Sequence, residues 1–396
     1  MTEYTFSGPR PEVGHFEGFD HVSIWCSNAK QVASFYAIRM GFKVIAYSGL
    51  ETGSRDVATW VLKQNNIVIA FCSPLNPVDN EISQQVAKCG DFVRDIAFTV
   101  KDCEALYNKA VSRGAVSVSA PKVLTDEKYS GNVIVATVKT YGNVTHTFVQ
   151  RNGYDGPFLP GFKEVTTVDP VCEMLPDTKL DIIDHIVGNQ PDHEMEPAVQ
   201  WYEKVLDFHR FWSVDDKQIF TEYSSLRSVV VADYDENIKM PINEPAKGLR
   251  KSQIQEYVEY HGGAGVQHIA FRTEDILTAI TNLRKRGTEF LYIPPKYYSN
   301  LRERLKKSPV VIAEDLDAIE KLGILVDFDD RGYLLQLFTK PVQDRPTLFY
   351  EIIQRRNLNG FGAGNFKALF ESIEREQAAR GNLTNETDEK KDDSKP

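Results

Sequence analysis

The sequence lacks the features that would place it in a membrane, in an oxidising compartment or on a nucleic acid. It has no run of 18 apolar residues, the length that a transmembrane helix requires. Its five cysteines form no CxxC pair, which argues against a disulfide framework. No basic stripe appears and the formal net charge is −10, which disfavours nucleic acid and anionic membranes as partners. No basic segment followed by an apolar run opens the chain, so we expect no signal peptide and a cytoplasmic protein.

What the sequence does contain is an internal repeat. Residues 93–121 align without a gap to residues 266–294 at a constant offset of 173, and eight of the 29 aligned residues are identical. The chemically important difference is Asp95 opposite His268. One copy therefore carries a histidine that the other lacks, which suggests that one half holds a site and the other half is structural.

Four modules of the same kind follow from this repeat. Residues 19–25 and 182–187 each contain an Asp-His pair within an apolar alternation, and each precedes a helical pattern and further strands. The chain thus contains four strand–helix–strands modules, two per half. This pattern predicts an α+β fold in which mixed, largely antiparallel sheets carry helices on one face.

The chain of 396 residues, 42 % of them apolar, is long enough for two domains. We expect an N-terminal domain over residues 1–152, a linker rich in Gly and Pro over 153–180, a C-terminal domain over 181–381 and a disordered tail over 382–396. The pattern further predicts the following features: an irregular arm over 1–17, a helix over 102–113, a strand near 218–223, a polar loop over 235–262, a long insertion over 296–322 and a terminal helix capped by Asn365.

Three residues of the second half form a candidate metal site. Non-haem iron oxygenases bind Fe(II) with two histidines and one carboxylate and leave the opposite face open. His185 and His268 lie in the first strands of two sister modules, which can face each other across one cavity. Glu351 lies within a strongly apolar strand, where a charge is costly unless it is paired or bound to metal.

The first half serves as an internal control. Aligning residues 148–151 with residues 352–355 places Thr147 opposite Glu351. The first half therefore offers His21, Asp95 and Thr147 where the second half offers two histidines and a glutamate. Only the second half has a complete ligand set.

Simpler interpretations of these residues remain open. A single histidine in a strand is usually a hydrogen-bonded core or rim residue, and Glu351 could pair with Arg355 or Arg356. A zinc site with cysteine ligands is disfavoured, because no cysteine lies near these positions.

Long segments of the sequence also resemble a known family. From about Phe19 to Gln377 the chain resembles the 4-hydroxyphenylpyruvate dioxygenase family of the vicinal-oxygen-chelate superfamily. The resemblance is most specific in the following segments: 184–185, 243–245, 265–270, 335–339, 349–355 and 360–366.

The resemblance implies a site and a reaction. It implies one Fe(II) per chain on His185, His268 and Glu351. It implies two similar open-barrel domains, a C-terminal lid helix, a homodimer, and conversion of 4-hydroxyphenylpyruvate and O₂ to homogentisate and CO₂ in tyrosine and phenylalanine catabolism. The substrate pocket that it implies consists of Ser228, Asn243, Gln253, Gln267, Gln336, Phe338, Phe349, Phe361, Asn365 and Phe366. Ideal strand alternation turns Gln267 away from His268, so Gln267 is either a substrate contact or a support for the ligand.

Three other functions compete with this one. Hydroxymandelate synthase shares the fold, substrate and ligands but oxidises the side chain, and the segment 361–366 favours ring oxidation instead. A glyoxalase-like lyase or isomerase of the same superfamily usually uses more metal ligands. A non-catalytic binding protein would not need the complete triad beside an aromatic pocket.

Overall fold

The computed structural model describes residues 2–4, 6–77, 80–214 and 225–384. The strands are β1 (Thr2–Glu3), β2 (Phe16–Trp25), β3 (Lys43–Ser48), β4 (Val57–Gln64), β5 (Ile67–Pro74), β6 (Phe92–Val100), β7 (Ser117–Leu124), β8 (Asn132–Lys139), β9 (Thr145–Asn152), β10 (Lys163–Glu164), β11 (Ile182–Asn189), β12 (His209–Val214), β13 (Ser225–Ala232), β14 (Lys239–Ala246), β15 (Gly265–Arg272), β16 (Leu325–Phe328), β17 (Tyr333–Phe338) and β18 (Phe349–Arg356). The helices are α1 (Ala29–Met40), α2 (Glu81–Cys89), α3 (Cys103–Ser112), α4 (Pro170–Glu173), α5 (Met195–Leu206), α6 (Gln253–His261), α7 (Ile276–Lys285), α8 (Pro295–Leu305), α9 (Leu316–Leu322) and α10 (Phe366–Ala379).

The repeat produces two mixed sheets with matching strand order. The first is β10-β3-β4-β5-β2-β6-β9-β8-β7, and the second is β1-β12-β13-β14-β11-β15-β18-β17-β16. In each sheet the first strands of the two modules are antiparallel neighbours, β2 with β6 and β11 with β15. Each of these four strands is also parallel to the last strand of its own module. The predicted α+β class with four repeated modules is confirmed.

Helix boundaries follow the local signals in the sequence. The side chain of Asn28 accepts a hydrogen bond from the backbone N–H of Gln31, and α1 ends at Gly41 with φ of +81°. Asp102 caps α3 in the same way by accepting from Ala105 N. The predicted helix over 102–113 is therefore confirmed.

The predicted irregular arm, the predicted loop and the predicted insertion all contain helices or strands. Residues 235–262 contain β14 and α6, and the insertion 296–322 contains most of α8 and all of α9. The loop was predicted partly from its prolines, which are rare inside sheets. Pro241 and Pro245 nevertheless lie in β14, whose antiparallel pairing with β13 is unbroken. In the arm, β1 pairs with β12 of the opposite half. The strand predicted near 218–223 lies outside the described residues.

Residues 382–384, which the sequence predicts to belong to a disordered tail, contact the rest of the protein. The side-chain amide of Asn382 donates to Glu256 Oε1 over 2.8 Å, and the backbone N–H of Lys251 donates to the carbonyl of Thr384. These contacts order the first tail residues against α6. Residues 385–396 lie outside the described part of the chain.

The two halves pack through one continuous hydrophobic core. Tyr36 of α1 and Tyr350 of β18, both buried, share a hydrogen bond of 2.7 Å between their hydroxyls. Arg286, after α7, donates to the carbonyl oxygens of Ala37 and Ile38 at the end of α1. These contacts hold the half that carries the candidate metal site against the first half. All five cysteines are free thiols, and no helix of the described residues is long and apolar enough to cross a bilayer.

His146 at this interface should make the protein less stable in mild acid. Its buried ring lies 2.7 Å from the hydroxyl of Tyr202 and 3.0 Å from the carbonyl oxygen of Ile96, and burial lowers its pKa from 6.5 to about 4. The unfolded chain binds this proton more readily, so the free energy of unfolding falls as the pH decreases from 6.5 towards 4. This one group should lower it by about 2 kcal/mol between pH 7 and pH 5.

Denaturant unfolding of the native protein and of His146→Phe at both pH values would test this expectation. The variant cannot bind the proton, so its loss of stability between the two pH values should be smaller by that amount. Equal losses in the two proteins would contradict the assignment.

Candidate metal centre

Three ligand-type side chains from three adjacent strands converge in the second sheet. They are His185 on β11, His268 on β15 and Glu351 on β18, and their ligand atoms all lie within 4.8 Å of one another. The Nε2 atoms of His185 and His268 lie 3.1 Å and 3.3 Å from Glu351 Oε2. Strand register explains the convergence, because Ala270 is paired with His185 on one side and with Glu351 on the other. Among the described residues, no other group of three such side chains meets in this way.

In both histidines a neighbouring side chain binds the Nδ1 atom, and the Nε2 atom points towards Glu351. His185 Nδ1 lies 2.7 Å from Asp184 Oδ1, and His268 Nδ1 lies 2.9 Å from Gln267 Oε1. These acceptors place a proton on each Nδ1, so each Nε2 presents a lone pair in the neutral ring. His268 Nε2 is buried and makes no well-directed hydrogen bond. With both rings neutral, two nitrogen lone pairs would face one carboxylate oxygen, an arrangement that a cation between them stabilises, so the three residues fit a divalent metal.

The pKa shifts of Glu351 and His268 agree with this interpretation. Burial by itself would raise the pKa of Glu351, but the adjacent His185 and His268 lower it to about 2, so the side chain is anionic at neutral pH. Burial lowers the pKa of His268, which favours the neutral imidazole that a metal requires. Burial would also lower the pKa of His185, but Glu351 and Asp184 outweigh it and raise that pKa. A bound cation would replace that proton.

The first half repeats the framework without the ligands. His21, Ala97 and Thr147 are in register across β2, β6 and β9, as His185, Ala270 and Glu351 are across β11, β15 and β18. The alignment of Thr147 with Glu351 is therefore confirmed. Asp95, opposite His268 in the repeat, accepts hydrogen bonds from Thr145 and Thr147. In this half, these polar side chains therefore hydrogen-bond to one another.

The simpler interpretation of Glu351 is wrong. Arg355 pairs with Asp184 at 2.7 Å, and Arg356 pairs with Glu274 at 2.9 Å. Neither arginine forms an ion pair with Glu351, whose ion-pair contacts are with the two histidines.

A cavity adjoins the three side chains and is lined by the second sheet and α10. Because side chains of β11, β13, β14, β15, β17 and β18 share it, this sheet curves around the cavity. Nine of the ten predicted substrate-pocket residues line it, namely Ser228, Asn243, Gln253, Gln267, Gln336, Phe338, Phe349, Phe361 and Phe366. Asn365 does not.

Asn365 has a different place from the one predicted. It precedes α10, but its side chain makes no capping hydrogen bond. Its Oδ1 accepts a hydrogen bond of 2.7 Å from the hydroxyl of Tyr297, and its Nδ2 donates to Gln336 Oε1 over 3.3 Å. Asn365 therefore supports the side chain of Gln336, which lines the cavity.

Aromatic rings pack directly on the two histidines. The ring of Phe349 stacks on His268 with centroids 4.9 Å apart, and Phe338 meets the same ring edge-on at 5.8 Å. Phe361 meets His185 edge-on at 5.1 Å. These contacts fix the imidazole planes and give the cavity an apolar wall beside the candidate metal position.

Gln267 faces the cavity and also supports His268, because β15 is irregular at this point. Val187 of β11 pairs with His268 and Gly188 pairs with Val266, which leaves Gln267 as an extra residue. Such a bulge interrupts the alternation of side chains along a strand. Gln267 can therefore line the cavity next to His268, which strict alternation forbids.

Several residues that line the cavity were not predicted from the sequence. They include Leu226 and Val230 beside Ser228, Trp212 on β12, and Leu369, Phe370 and Ile373 on α10. Strand alternation could have indicated the first two. The spacing from Phe366 to Ile373 has the i, i+3, i+4, i+7 period of one helix face.

Comparison with known proteins agrees with the fold. A family model described as "Glyoxalase/Bleomycin resistance protein/Dioxygenase superfamily" matches residues 18–140 and 182–345. A relative named 4-hydroxyphenylpyruvate dioxygenase from Xenopus tropicalis is 58 % identical over 97 % of each chain. One of the same name from Dictyostelium discoideum is 58 % identical over 93 % of this chain and all of its own. A solved mutant of 4-hydroxymandelate synthase from Streptomyces coelicolor is 27 % identical, with a TM-score of 0.77 over 91 % of this chain and 99 % of its own.

The repeated modules and the matching family model define the class, the glyoxalase, bleomycin resistance protein and dioxygenase superfamily. At 54–58 % identity over nearly the full length of several relatives, the resemblance is specific enough to resolve the family. The chain belongs to the 4-hydroxyphenylpyruvate dioxygenase family.

Proposed function

We propose that this chain is an Fe(II)-dependent dioxygenase that converts 4-hydroxyphenylpyruvate and O₂ to homogentisate and CO₂. The convergence of His185, His268 and Glu351 beside an aromatic cavity carries the proposal. The names of the full-length relatives supply the substrate. One iron per chain, a homodimer, a cytoplasmic location and a place in tyrosine and phenylalanine catabolism are parts of the same proposal.

Two neutral histidines and one glutamate would hold the iron with a net charge of +1. The carboxylate of a 2-oxo acid brings the closed site close to neutrality, which lowers the cost of burying it. When bound, iron supplies the oxygen chemistry that amino-acid side chains cannot perform. The histidines enter this arrangement already oriented, because Asp184 and Gln267 hold their Nδ1 atoms.

The cavity residues divide into an apolar wall and an amide group. Phe338, Phe349 and Phe361 would pack against the aromatic ring of the substrate. Asn243, Gln253 and Gln267 would present donors and acceptors to its phenol. Substrate binding by Ser228, Gln336 and Phe366 is likewise proposed, whereas Asn365 supports Gln336 instead of touching substrate.

The helix α10 would act as a lid. Phe366, Leu369, Phe370 and Ile373 close one side of the cavity with apolar surface. A closed lid excludes water, which protects reactive species and strengthens the electrostatic interactions inside the site. The protein's task is thus to orient the ring, hold the ligands and keep the site dry.

The second candidate is side-chain oxidation of the same substrate, as the name 4-hydroxymandelate synthase implies for the solved structure. The overall fold does not separate the two reactions, because the TM-score to that structure is 0.77. Sequence favours ring oxidation, since identity is 27 % to that synthase and 58 % to the dioxygenases.

Oxygen consumption with product identification tests the proposal. Protein loaded anaerobically with Fe(II) and given 4-hydroxyphenylpyruvate should consume O₂ and release homogentisate in equal amounts, as followed with an oxygen electrode and NMR. Hydroxymandelate as product would support the second candidate. No O₂ consumption by protein that holds iron would exclude both oxidations and favour a lyase or a binding protein.

A further inference from the structure

One guanidinium group links the histidine His185 to the segment that closes the cavity. Arg355 Nε and Nη2 donate to both carboxylate oxygens of Asp184 over 2.8 Å and 2.7 Å. Asp184 Oδ1 in turn lies 2.7 Å from His185 Nδ1. The side chains of Asp184 and Arg355 are 7 % and 12 % exposed, so water screens this ion pair little. The chain of contacts Arg355–Asp184–His185 therefore restrains the imidazole ring.

The other side of the same guanidinium holds the turn that leads to α10. Arg355 Nη1 donates to the carbonyl oxygens of Leu358 and Gly360 over 3.1 Å and 2.6 Å. Its central carbon lies 5.5 Å from the centre of the Phe361 ring, and that ring meets His185 edge-on. The turn, the aromatic ring and the histidine are thus fixed to one another by a single residue.

The first half contains the same arrangement around a filled interior. His21 Nδ1 lies 2.7 Å from Asp20 Oδ1, and Arg151 pairs with Asp20 and donates to the carbonyl of Phe158 over 3.4 Å. The Phe158 ring meets His21 edge-on at 4.8 Å and 80°, as Phe361 meets His185 at 5.1 Å and 80°. The segment after β9 is therefore the structural counterpart of the segment after β18.

What differs between the halves is what this arrangement encloses. In the first half, Phe158 and Leu159 pack into small apolar clusters inside the sheet. In the second half, the equivalent segment covers the cavity beside the three ligand-type side chains. The Asp-His-Arg-Phe set also forms in the first half, which lacks the second histidine and the glutamate, so it does not require a complete ligand set.

We propose that Arg355 is a positioning residue that couples the orientation of His185 to closure of the cavity by the turn 358–361 and α10. The part that concerns His185 rests on its proposed role as a metal ligand, whereas the part that concerns closure does not. A planar guanidinium can bind both carboxylate oxygens and two carbonyls at once, which a lysine ammonium on a flexible stem cannot do in the same geometry.

The test compares Arg355→Lys with the matched control Arg151→Lys. Both variants keep the positive charge and alter the same set of contacts, one beside the cavity and one beside the filled interior. Co²⁺ titration of the metal-free proteins, followed by visible absorption, reports both affinity and ligand geometry. Hydrogen exchange of the metal-free proteins reports how often the turn and α10 open.

Arg355→Lys should weaken Co²⁺ binding by about 10- to 100-fold, the usual effect of losing a partner behind a ligand. It should also change the Co²⁺ absorption bands and accelerate amide exchange over residues 358–379. Arg151→Lys should leave all three as in the native protein. If Arg355→Lys does not fold, Asp184→Asn gives the same readouts, since it removes one charge from the same pair.

Native affinity, native bands and native exchange in Arg355→Lys would overturn the proposal. Equal changes in Arg151→Lys would also overturn it, because they would indicate general destabilisation. If the native protein binds no Co²⁺ through His185, the proposed metal site fails, while faster exchange over 358–379 in Arg355→Lys alone still supports the coupling to closure.

Discussion

Glu351→Ala and His185→Ala should each abolish tight binding of Fe(II) and, with it, O₂ consumption in the presence of 4-hydroxyphenylpyruvate. Each change removes one of three converging ligand atoms. We expect the affinity to fall by more than about 100-fold, beyond the usual effect of losing a partner behind a ligand. Anaerobic metal titration and an oxygen electrode measure the two effects separately.

The first half provides matched controls for this experiment. His21→Ala and Thr147→Ala alter the positions that correspond to His185 and Glu351 in the strand register. Both should retain one iron per chain and native turnover, with at most a lower free energy of unfolding, because His21 is buried against Asp20. Tight iron binding by Glu351→Ala or His185→Ala, or its loss in either control, would refute the proposed ligand set.

Gly362→Ala should reduce turnover by about 100-fold, the effect expected when a cavity wall shifts by about 1 Å. Gly362 has φ of +71°, and a Cβ there would lie 1.9 Å from Gln336 Oε1. The new methyl group must displace Gln336, which lines the cavity and accepts a hydrogen bond from Asn365. Metal affinity should change little, because Gln336 is not one of the three ligand-type residues. Gly362→Pro should have a larger effect, since proline cannot adopt a positive φ.

Gly360→Ala is the matched control in the same turn. A Cβ at Gly360 would meet only Leu358 Cγ at 4.0 Å, which is an ordinary contact. This variant should keep native turnover and native metal affinity. Steady-state kinetics would measure the turnover of both variants, and metal titration would measure their metal affinity. Native turnover in Gly362→Ala would show that the position of Gln336 does not control the reaction.

The candidate ligands could be predicted because they follow from local patterns and from the repeat. The sequence alone shows three signals: the Asp-His pair at 184–185, the offset of 173 between Asp95 and His268, and a charged residue inside an apolar strand. Sheet register then brings His185 and Glu351 to opposite sides of Ala270. The ligand roles themselves stay predictions until the metal is measured.

Several features could not be predicted because they depend on contacts between distant residues. The bulge at Gln267 arises from its pairing with β11 and turns the side chain into the cavity. Asn365 looks like a helix cap in the sequence, but Tyr297 and Gln336 engage its side chain. The prolines of β14 suggested a loop, but pairing with β13 makes the segment a strand.

The sequence by itself determined the repeat, the α+β class and which residue types could bind a metal, because periodicity and caps act within a few residues. Only the tertiary structure decided that Arg355 pairs with Asp184 rather than with Glu351. It also decided that Phe158 packs inside the first sheet, whereas its counterpart Phe361 covers the cavity in the second half. The physical reason is that ion pairs, bulges and packing depend on which distant strands become neighbours, and no local pattern encodes that choice.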